Sequence, residues 1–197
     1  MEQPDHGLRE RKKRETRRAI HRAALDLVEE SGFDAVTTEQ IAGRAGVSPR
    51  TFFNYFATKE GAVLGTTPAD LDELRAQLDA RPADEPILDS IRILVRDRLS
   101  PSSYDPDLRA QRRRVLLGEP ALGPALVGNN IRTENVLTEV VAARLGVDPR
   151  ESVRPRVTVA TALAAVRASI EHQQSGGTGT VEDAVDEAFA LLETGLG

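Results

Sequence analysis

The sequence contains no cysteine and no tryptophan, and only three of its 197 residues are histidines. Without cysteine there can be no disulfide framework and no thiolate chemistry, which suits a reducing compartment and predicts a cytoplasmic location. The histidines, His6, His21 and His172, do not have the spacing of zinc ligands. We therefore expect neither a metal site nor a cofactor.

Long apolar runs are also missing from the sequence. No stretch of about 18 apolar residues is present, so we expect no membrane partner. The basic N-terminus is not followed by an apolar segment, so it is not expected to be a secretory signal. There is no histidine cluster, and the glycine-rich segment 175–179 lacks the lysine of a phosphate-binding loop. These absences predict a protein that is not an enzyme.

Charge is distributed unevenly along the chain, whose net charge is −5. Residues 9–22 carry eight basic and two acidic groups, whereas residues 61–197 carry 15 basic and 21 acidic groups. A cationic segment of this kind is either a solvated helix face or a nucleic-acid contact. Charge alone leaves both interpretations open.

Turn and cap signals divide the chain into segments with helical periodicity, and no segment alternates as a strand would. The sequence therefore predicts an all-α fold. The predicted helices cover residues 8–31, 38–45 after a capping box formed by Thr37 and Gln40, 49–55, a segment starting at 59, and then 68–80, 86–99, 105–118, 120–145, 149–173 and 180–195.

Four of the seven aromatic residues lie within positions 52–56. Ser48 is a suitable N-cap for a short helix with Pro49 in its first turn, which makes this the second helix of a helix-turn-helix. Phe52 and Phe56 are four residues apart and are expected to anchor that helix on the core. Phe53 and its polar neighbours are then expected to face outward, where they could contact base edges and phosphates.

The segment from Thr16 to Leu64, "TRRAIHRAALDLVEESGFDAVTTEQIAGRAGVSPRTFFNYFATKEGAVL", resembles the DNA-binding domain of the tetracycline-repressor (TetR) family. The resemblance implies an all-helical transcriptional repressor of about nine helices that binds a palindromic double-stranded DNA operator as a homodimer. It also implies a DNA-binding domain over residues 1–60, with a basic N-terminal extension, and an effector-binding and dimerisation domain over residues 61–197.

The resemblance places DNA contacts at positions that match the family's motif. Arg50 is the expected base reader, Thr38 and Lys59 are the expected phosphate contacts, and residues 9–18 are expected to reach along the backbone or into the minor groove. The expected DNA-binding residues are Arg17, Thr38, Ser48, Pro49, Arg50, Thr51, Phe53, Asn54, Tyr55 and Lys59.

The segment 111–146 resembles the C-terminal domain of the mycofactocin-regulator subgroup, which implies an acyl-CoA-like effector. An amphipathic drug-like molecule or other metabolite is the alternative. Leucines at helical spacing could equally form the core, and three adjacent arginines, Arg112 to Arg114, point in different directions. The expected ligand-binding residues are Leu94, Arg113, Leu117, Leu122, Leu126, Asn130, Thr133 and Leu163.

The last two helices carry small and apolar residues at helical spacing, which favours a dimer interface. The expected interface residues are Val153, Val157, Ala160, Ala164, Val185, Phe189 and Leu192. The alternative function is a helical small-molecule-binding or interaction module that no longer reads DNA. Such a module would be expected to lose the outward polar residues of the second helix, and these are present.

Overall fold

The computed structural model describes residues 4–99 and 105–195 of the chain, and these residues form an all-α fold. Within these ranges there are ten α-helices, a short 3-10 turn at Pro120–Leu122 and no strand. The helices are α1 (Pro4–Ser31), α2 (Thr38–Arg44), α3 (Pro49–Tyr55), α4 (Lys59–Leu64), α5 (Pro68–Asp79), α6 (Ile87–Leu99), α7 (Pro106–Gly118), α8 (Gly123–Leu145), α9 (Arg154–Gln174) and α10 (Val181–Thr194). None of these helices is both long and apolar enough to cross a membrane.

The predicted caps begin the short N-terminal helices. Thr37 forms a full capping box with Gln40 at the start of α2. The Ser48 side chain accepts a hydrogen bond from the backbone N–H of Thr51, and that of Thr58 accepts one from Gly61. Because each cap satisfies a backbone N–H that the helix leaves unpaired, local sequence suffices to set these boundaries.

Two predicted boundaries in the second half of the chain were wrong. The helix expected over 120–145 is a 3-10 turn followed by α8. The helix expected from residue 149 begins only at Arg154. In the segment before α9, the Asp148 carboxylate accepts a hydrogen bond from the backbone N–H of Arg150 at 2.8 Å, so Asp148 caps a turn rather than a helix. Pro155 then occupies the first turn of α9, where its missing N–H costs little.

The chain divides into two compact units, one formed by residues 1–68 and 106–129 and the other by 69–105 and 130–197. Residues 106–129 therefore pack with the N-terminal helices, which the expected division after residue 60 did not anticipate. Their apolar side chains Leu108, Val115 and Leu122 belong to the same buried cluster as Ile20 and Phe52. The assignment of functions to residues 1–60 and 61–197 stays a prediction.

The second unit has its own core, in which α9 and α10 pack together and α6 packs against both. An arginine connects α8 to the segment between α5 and α6. The Arg144 guanidinium donates to Ser90 Oγ at 2.9 Å and to the carbonyl oxygens of Pro82 and Glu85 at 2.6 and 3.0 Å. The Glu85 carboxylate in turn accepts hydrogen bonds from Arg81 and Ser90. These contacts fix the α5–α6 segment on the core of this unit.

Candidate nucleic-acid interface

A tight turn at Gly46 sets the geometry of the helix-turn-helix. Gly46 has φ of +69°, a left-handed conformation that costs glycine little. Its N–H bonds to the carbonyl of Gly43 at 3.1 Å, and the next N–H, of Val47, bonds to Ala42 at 2.9 Å. The turn closes α2 with a left-handed C-terminal cap and leads directly into Ser48, the N-cap of α3.

Two phenylalanines anchor α3 in the core, as the spacing predicted. Phe52 is 0% exposed, Phe56 is 1% exposed, and their ring centroids are 6.2 Å apart. Phe53 is 52% exposed, with its ring edge-to-face against that of Phe52 at a centroid distance of 5.3 Å. An exposed phenylalanine supported from behind by a buried one is a rigid apolar contact surface.

The outer face of α3 carries most of the expected DNA-binding residues. Pro49, Arg50 and Asn54 are exposed, and no hydrogen bond or ion pair to the Arg50 side chain is found in the part of the chain that is described. Thr51 is half-buried, and its hydroxyl lies 2.8 Å from that of Ser48. An unengaged arginine beside an amide and an exposed ring can read bases in a major groove.

Tyr55 does not point wholly outward as expected. It is half-buried and packs against the core of the N-terminal unit. The reason is helical geometry, because position 55 is three residues after the buried Phe52 and lies at the edge of the same face. Because part of this side chain is covered by the core, Tyr55 is limited to a peripheral contact.

Helix α2 packs on α1 through its buried Ile41 and Ala42. Arg44 forms a two-pronged ion pair with Glu30, with both nitrogen–oxygen distances 2.9 Å. Thr38, at the start of α2, is half-buried and donates its hydroxyl to the Glu39 carboxylate at 3.1 Å. The backbone N–H groups of this first turn point out of the helix end, where an anion such as a phosphate is favoured.

Lys59 has a structural role that its sequence position did not reveal. Its ammonium donates to the carbonyl oxygens of Phe33 and Val36 at 2.8 and 3.0 Å and lies 4.2 Å from the centroid of the Phe33 ring. Lys59 therefore ties the start of α4 to the loop between α1 and α2. An ammonium has three N–H donors, so one remains available for the expected phosphate contact.

Arg17 also has an internal partner. Its guanidinium donates to the carbonyl oxygen of Gly65 at 2.9 Å and lies 5.9 Å from the Phe56 ring centroid. One turn later on α1, His21 Nδ1 donates to the carbonyl oxygen of Ala62 at 2.7 Å. Arg17 and His21 thus satisfy carbonyls at the C-terminal end of α4. The two donors are four residues apart, so they lie on one face of α1.

The His21 imidazole is packed closely at this helix end. Gly65 has φ of +68°, and a Cβ built on it would lie 2.8 Å from the ring. Burial lowers the pKa of His21 from its ordinary value of 6.5 to about 4, and the positive charges of Arg112, Arg17 and Arg22 act in the same direction. The imidazole is therefore neutral at neutral pH.

The expected ligand-binding residues do not all belong to one of the two buried cores of the described chain. Leu122 lies in the core of the N-terminal unit, whereas Leu94 is buried in that of the second unit and Leu163 packs against it. Leu117 is 74% exposed, and Arg113 is exposed as well. The remaining three are half-buried or exposed positions on α8: Leu126, Asn130 and Thr133.

A groove of about 520 Å³ between α5 and α6 has one of the predicted residues, Leu94, in its lining. Its other walls carry mostly charged and amide groups: Asp70, Glu73, Gln77, Ala80, Arg81, Asp97 and Arg98. A binding site for an apolar effector is lined mainly by apolar side chains. This groove does not fit the effector that the sequence suggested.

The expected dimer residues separate into two groups. Val153, which is 72% exposed, and Val157, which is 50% exposed, share a face with the exposed Ala160 and Ala164. Val185 and Phe189 are 0% exposed in the single chain, and Leu192 packs against the same core. The assignment of Val185 and Phe189 to an interface was therefore wrong, because their stripe faces the protomer's own core.

No group of three or more histidine, cysteine, aspartate or glutamate side chains in the described ranges has the arrangement of a metal site.

Comparison with known proteins identifies two domains. The profile for bacterial regulatory proteins of the tetR family matches residues 20–64, and the profile for the MftR C-terminal domain matches residues 85–197. The first covers the helix-turn-helix, and the second covers more than half of the chain.

Similar proteins carry the same assignment. The transcriptional regulator TcmR of Streptomyces glaucescens is 36% identical over 160 residues, which cover 78% of this chain and 71% of TcmR. MftR of Mycobacterium tuberculosis, provisionally named a mycofactocin biosynthesis transcriptional regulator, is 26% identical over 189 residues, covering 94% of this chain and 93% of MftR.

Solved structures share the fold. A transcriptional regulator from Mesorhizobium loti, provisionally placed in the TetR family, has a TM-score of 0.55 at 18% identity and covers 91% of this chain and 94% of its own. A transcriptional regulator from Rhodococcus sp. Rha1 has a TM-score of 0.51 at 19% identity, with coverages of 89% and 94%. The two domain matches, the exposed α3 and the all-α fold agree, and the chain belongs to the TetR family of DNA-binding transcriptional regulators.

Proposed function

We propose that this regulator binds a palindromic operator as a homodimer, represses transcription from it, and is released by a small effector with an apolar body. The observation that carries the proposal is the division of α3 into two faces. Phe52 anchors the helix with no exposed surface, whereas Arg50, Phe53 and Asn54 are exposed together. A helix built in this way can enter a major groove without losing its own packing.

Base reading is proposed for the exposed residues of α3. Arg50 is assigned to a guanine, which a guanidinium contacts with two parallel hydrogen bonds, and Asn54 to an adenine. Phe53 and Thr51 are assigned to apolar contact with thymine methyl groups. Pro49 and Ser48 bring the start of the helix close to the DNA backbone.

Phosphate contacts are proposed around this helix. Thr38 and Ser48 each lie at the start of a helix, where backbone N–H groups favour an anion. Tyr55 and the third N–H of Lys59 are proposed to contribute from the periphery. Most of the basic residues 9–18 are exposed and are proposed to follow the DNA backbone, whereas Arg17 is assigned to holding α4.

The homodimer is proposed to form through α9. Val153, Val157, Ala160 and Ala164 recur at intervals of four, three and four residues, so they lie on one helix face, and all four are exposed. Exposed valines in a row with small residues allow two helices to approach closely. A dimer with two-fold symmetry carries two copies of α3, which matches the two half-sites of a palindrome.

The effector is proposed to be a fatty acyl-CoA or a related acyl compound. The support is the match of residues 85–197 to the MftR C-terminal domain, together with the resemblance of segment 111–146 to that subgroup. The screen is a displacement assay in which acyl-CoAs of different chain length compete with binding of labelled operator DNA. Release of the operator by one chain-length class supports the assignment, and release by none of them contradicts it.

Two variants test whether Arg50 contacts a base and Thr38 contacts a phosphate. Arg50→Ala should weaken operator binding by about 1–3 kcal/mol and relax preference at one base position. Thr38→Val keeps the side-chain shape but removes the hydroxyl that is assigned to a phosphate. Because phosphates are the same in every sequence, it should weaken binding to operator and to scrambled duplex by the same factor. Lys59 is a poor choice for this comparison, because its replacement also removes two hydrogen bonds to the α1–α2 loop.

Titrations with fluorescent duplexes at several salt concentrations provide the measurement. Binding by the wild type should weaken steeply with salt, since basic side chains displace counterions from the DNA. Equal losses for Arg50→Ala on operator and scrambled DNA would contradict the assignment of Arg50 to a base. An absence of salt dependence would contradict the phosphate contacts.

A further inference from the structure

The Arg112 side chain is a cation placed among apolar residues. Leu108, four residues before it, and Val115, three residues after it, are 8% and 4% exposed and lie in the core of the N-terminal unit. Arg112 therefore projects from the face of α7 that packs against α1. Its neighbours in sequence do not share that face: Arg113 is exposed, and Arg114 bonds to Glu29 at 2.9 Å.

The Arg112 guanidinium lacks the partners that a cation in this position needs. Its Nε is buried, and no hydrogen-bond acceptor for it is found among residues 4–99 and 105–195. The acidic groups of α1 nearby are engaged by other residues of α7, because Gln111 donates to Asp26 at 2.7 Å and to Glu29 at 3.1 Å. An arginine does not lose its charge on burial, so the imbalance is not relieved by deprotonation.

A second cation, Arg109, acts on Arg112. The charge of Arg112, together with those of Arg17 and Arg22, acts on the half-buried imidazole of His21. Burial and this positive field together lower the pKa of Arg112. A half-buried arginine with an unsatisfied donor in a positive field is the arrangement that attracts an anion.

We propose that Arg112 is the centre of a binding site for an anionic group, a carboxylate or a phosphate, at the packing surface between α1 and α7. The guanidinium offers planar pairs of donors that match either group. This inference rests on the proposed function, since it assigns the anionic end of the effector to Arg112.

The site also has a consequence for α4. His21 and Arg17, which hold the carbonyls of Ala62 and Gly65, lie within the same positive field. An anion bound by Arg112 would reduce that field beside the imidazole. Occupation of the site therefore changes the electrostatics of the contact between α1 and the C-terminal end of α4.

The test compares Arg112→Gln with Arg113→Gln in the full chain, and so decides between Arg112 and the ligand contact that the sequence placed at the exposed Arg113. Both variants remove one positive charge from α7, but the second removes it from an exposed position. Isothermal titration in buffer free of phosphate and carboxylate uses four probes: inorganic phosphate, coenzyme A, decanoate and decanoyl-CoA. We expect at least one probe to bind the wild type and Arg113→Gln equally, with about tenfold to hundredfold weaker binding to Arg112→Gln.

The four probes distinguish the sources of the anion. Binding of decanoate assigns a carboxylate, whereas binding of coenzyme A or inorganic phosphate without decanoate assigns a phosphate. If no probe binds the wild type, or if both variants bind equally well, the inference is wrong. Operator binding by the same preparations without probe is measured in parallel, so that a failure of the anion site is told apart from a failure of the proposed regulator.

Thermal unfolding of Arg112→Met excludes a purely structural explanation. If Arg112 had an internal partner, the variant would melt at a lower temperature than the wild type in probe-free buffer. The proposal expects an equal or higher melting temperature, because an uncompensated charge has been removed. It also expects the binding probe to raise the melting temperature of the wild type and leave that of Arg112→Met unchanged.

Discussion

The neutral, half-buried imidazole of His21 makes the stability of the fold depend on pH. The pKa of His21 is about 4 in the folded chain, against an ordinary value of 6.5, chiefly because of burial. A group with a lowered folded-state pKa of this kind favours the native state while it is neutral. The contribution is therefore fully present above pH 6.5 and is lost as the pH falls from 6.5 towards 4.

The size of this effect follows from the two pKa values. Each pKa unit corresponds to about 1.4 kcal/mol, so the shift from 6.5 to about 4 corresponds to about 3 kcal/mol in total. Between pH 7 and pH 5 the unfolded imidazole becomes protonated while the folded one stays neutral. The free energy of unfolding should fall by about 2 kcal/mol over this range from His21 alone.

Urea denaturation followed by circular dichroism at pH 7 and pH 5 measures the effect. His21→Gln keeps a hydrogen-bond donor for the carbonyl of Ala62 but does not titrate, so its stability should fall by about 2 kcal/mol less than that of the wild type. His172→Gln changes an exposed histidine and serves as the matched control. Equal pH dependence for His21→Gln and the wild type would refute the lowered pKa of the His21 imidazole.

Three further predictions concern the cores, an ion pair and the dimer. Phe52→Ala should lower the free energy of unfolding by about 3–5 kcal/mol, because Phe52 is 0% exposed. Phe53→Ala should change it by less than about 1 kcal/mol. If urea denaturation showed similar losses for the two variants, the anchoring of α3 by Phe52 would be contradicted. A hydrogen bond from Arg81 lowers the pKa of Glu85 to about 2, so the contribution of Glu85 to the free energy of unfolding is lost as the pH falls from 4.5 towards 2. In Glu85→Gln, the free energy of unfolding measured by circular dichroism should therefore change less over that pH range. Val157→Asp should convert a dimer to a folded monomer in light scattering at micromolar concentration, and a wild type that is itself monomeric there would contradict the α9 interface.

The sequence predicted the elements that are set by local chemistry. The bounds of α3, from Pro49 to Tyr55, follow from the Ser48 cap, the proline in the first turn and the Phe52–Phe56 spacing. Each of these signals lies within a few residues of the feature that it determines. The same is true of α2 and α4, whose caps were identified from the sequence.

Features that depend on distant partners were not accessible from the sequence. Lys59 binds carbonyls 23 and 26 residues away, and Arg17 binds one 48 residues away, so both looked like exposed basic residues. Within the run of arginines, only packing against α1 distinguishes Arg112 from the exposed Arg113. Arg113 was therefore predicted as a ligand contact from its charge alone, because the sequence does not show which of these arginines lies on the side of α7 that packs against α1.

Apolar periodicity also does not say which surface a stripe meets. On α10, Val185 and Phe189 have the spacing of an interface, yet they fill the core against α6 and α9. On α9, Val153 and Val157 have similar spacing and are exposed. The pattern identifies an apolar face in both helices, and only the fold tells whether the protomer itself covers that face.

Selection of binding sites from a random duplex library at near-physiological salt tests the central claim most directly. The wild-type chain should enrich a palindrome with half-sites about one helical turn apart, since two copies of α3 related by a two-fold axis would enter successive major grooves. Titration of the enriched duplex should then show tight, salt-sensitive binding that Arg50→Ala weakens. A library that enriches no sequence, with weak binding that depends on salt alone, would contradict the account of α3 as a reader of DNA sequence.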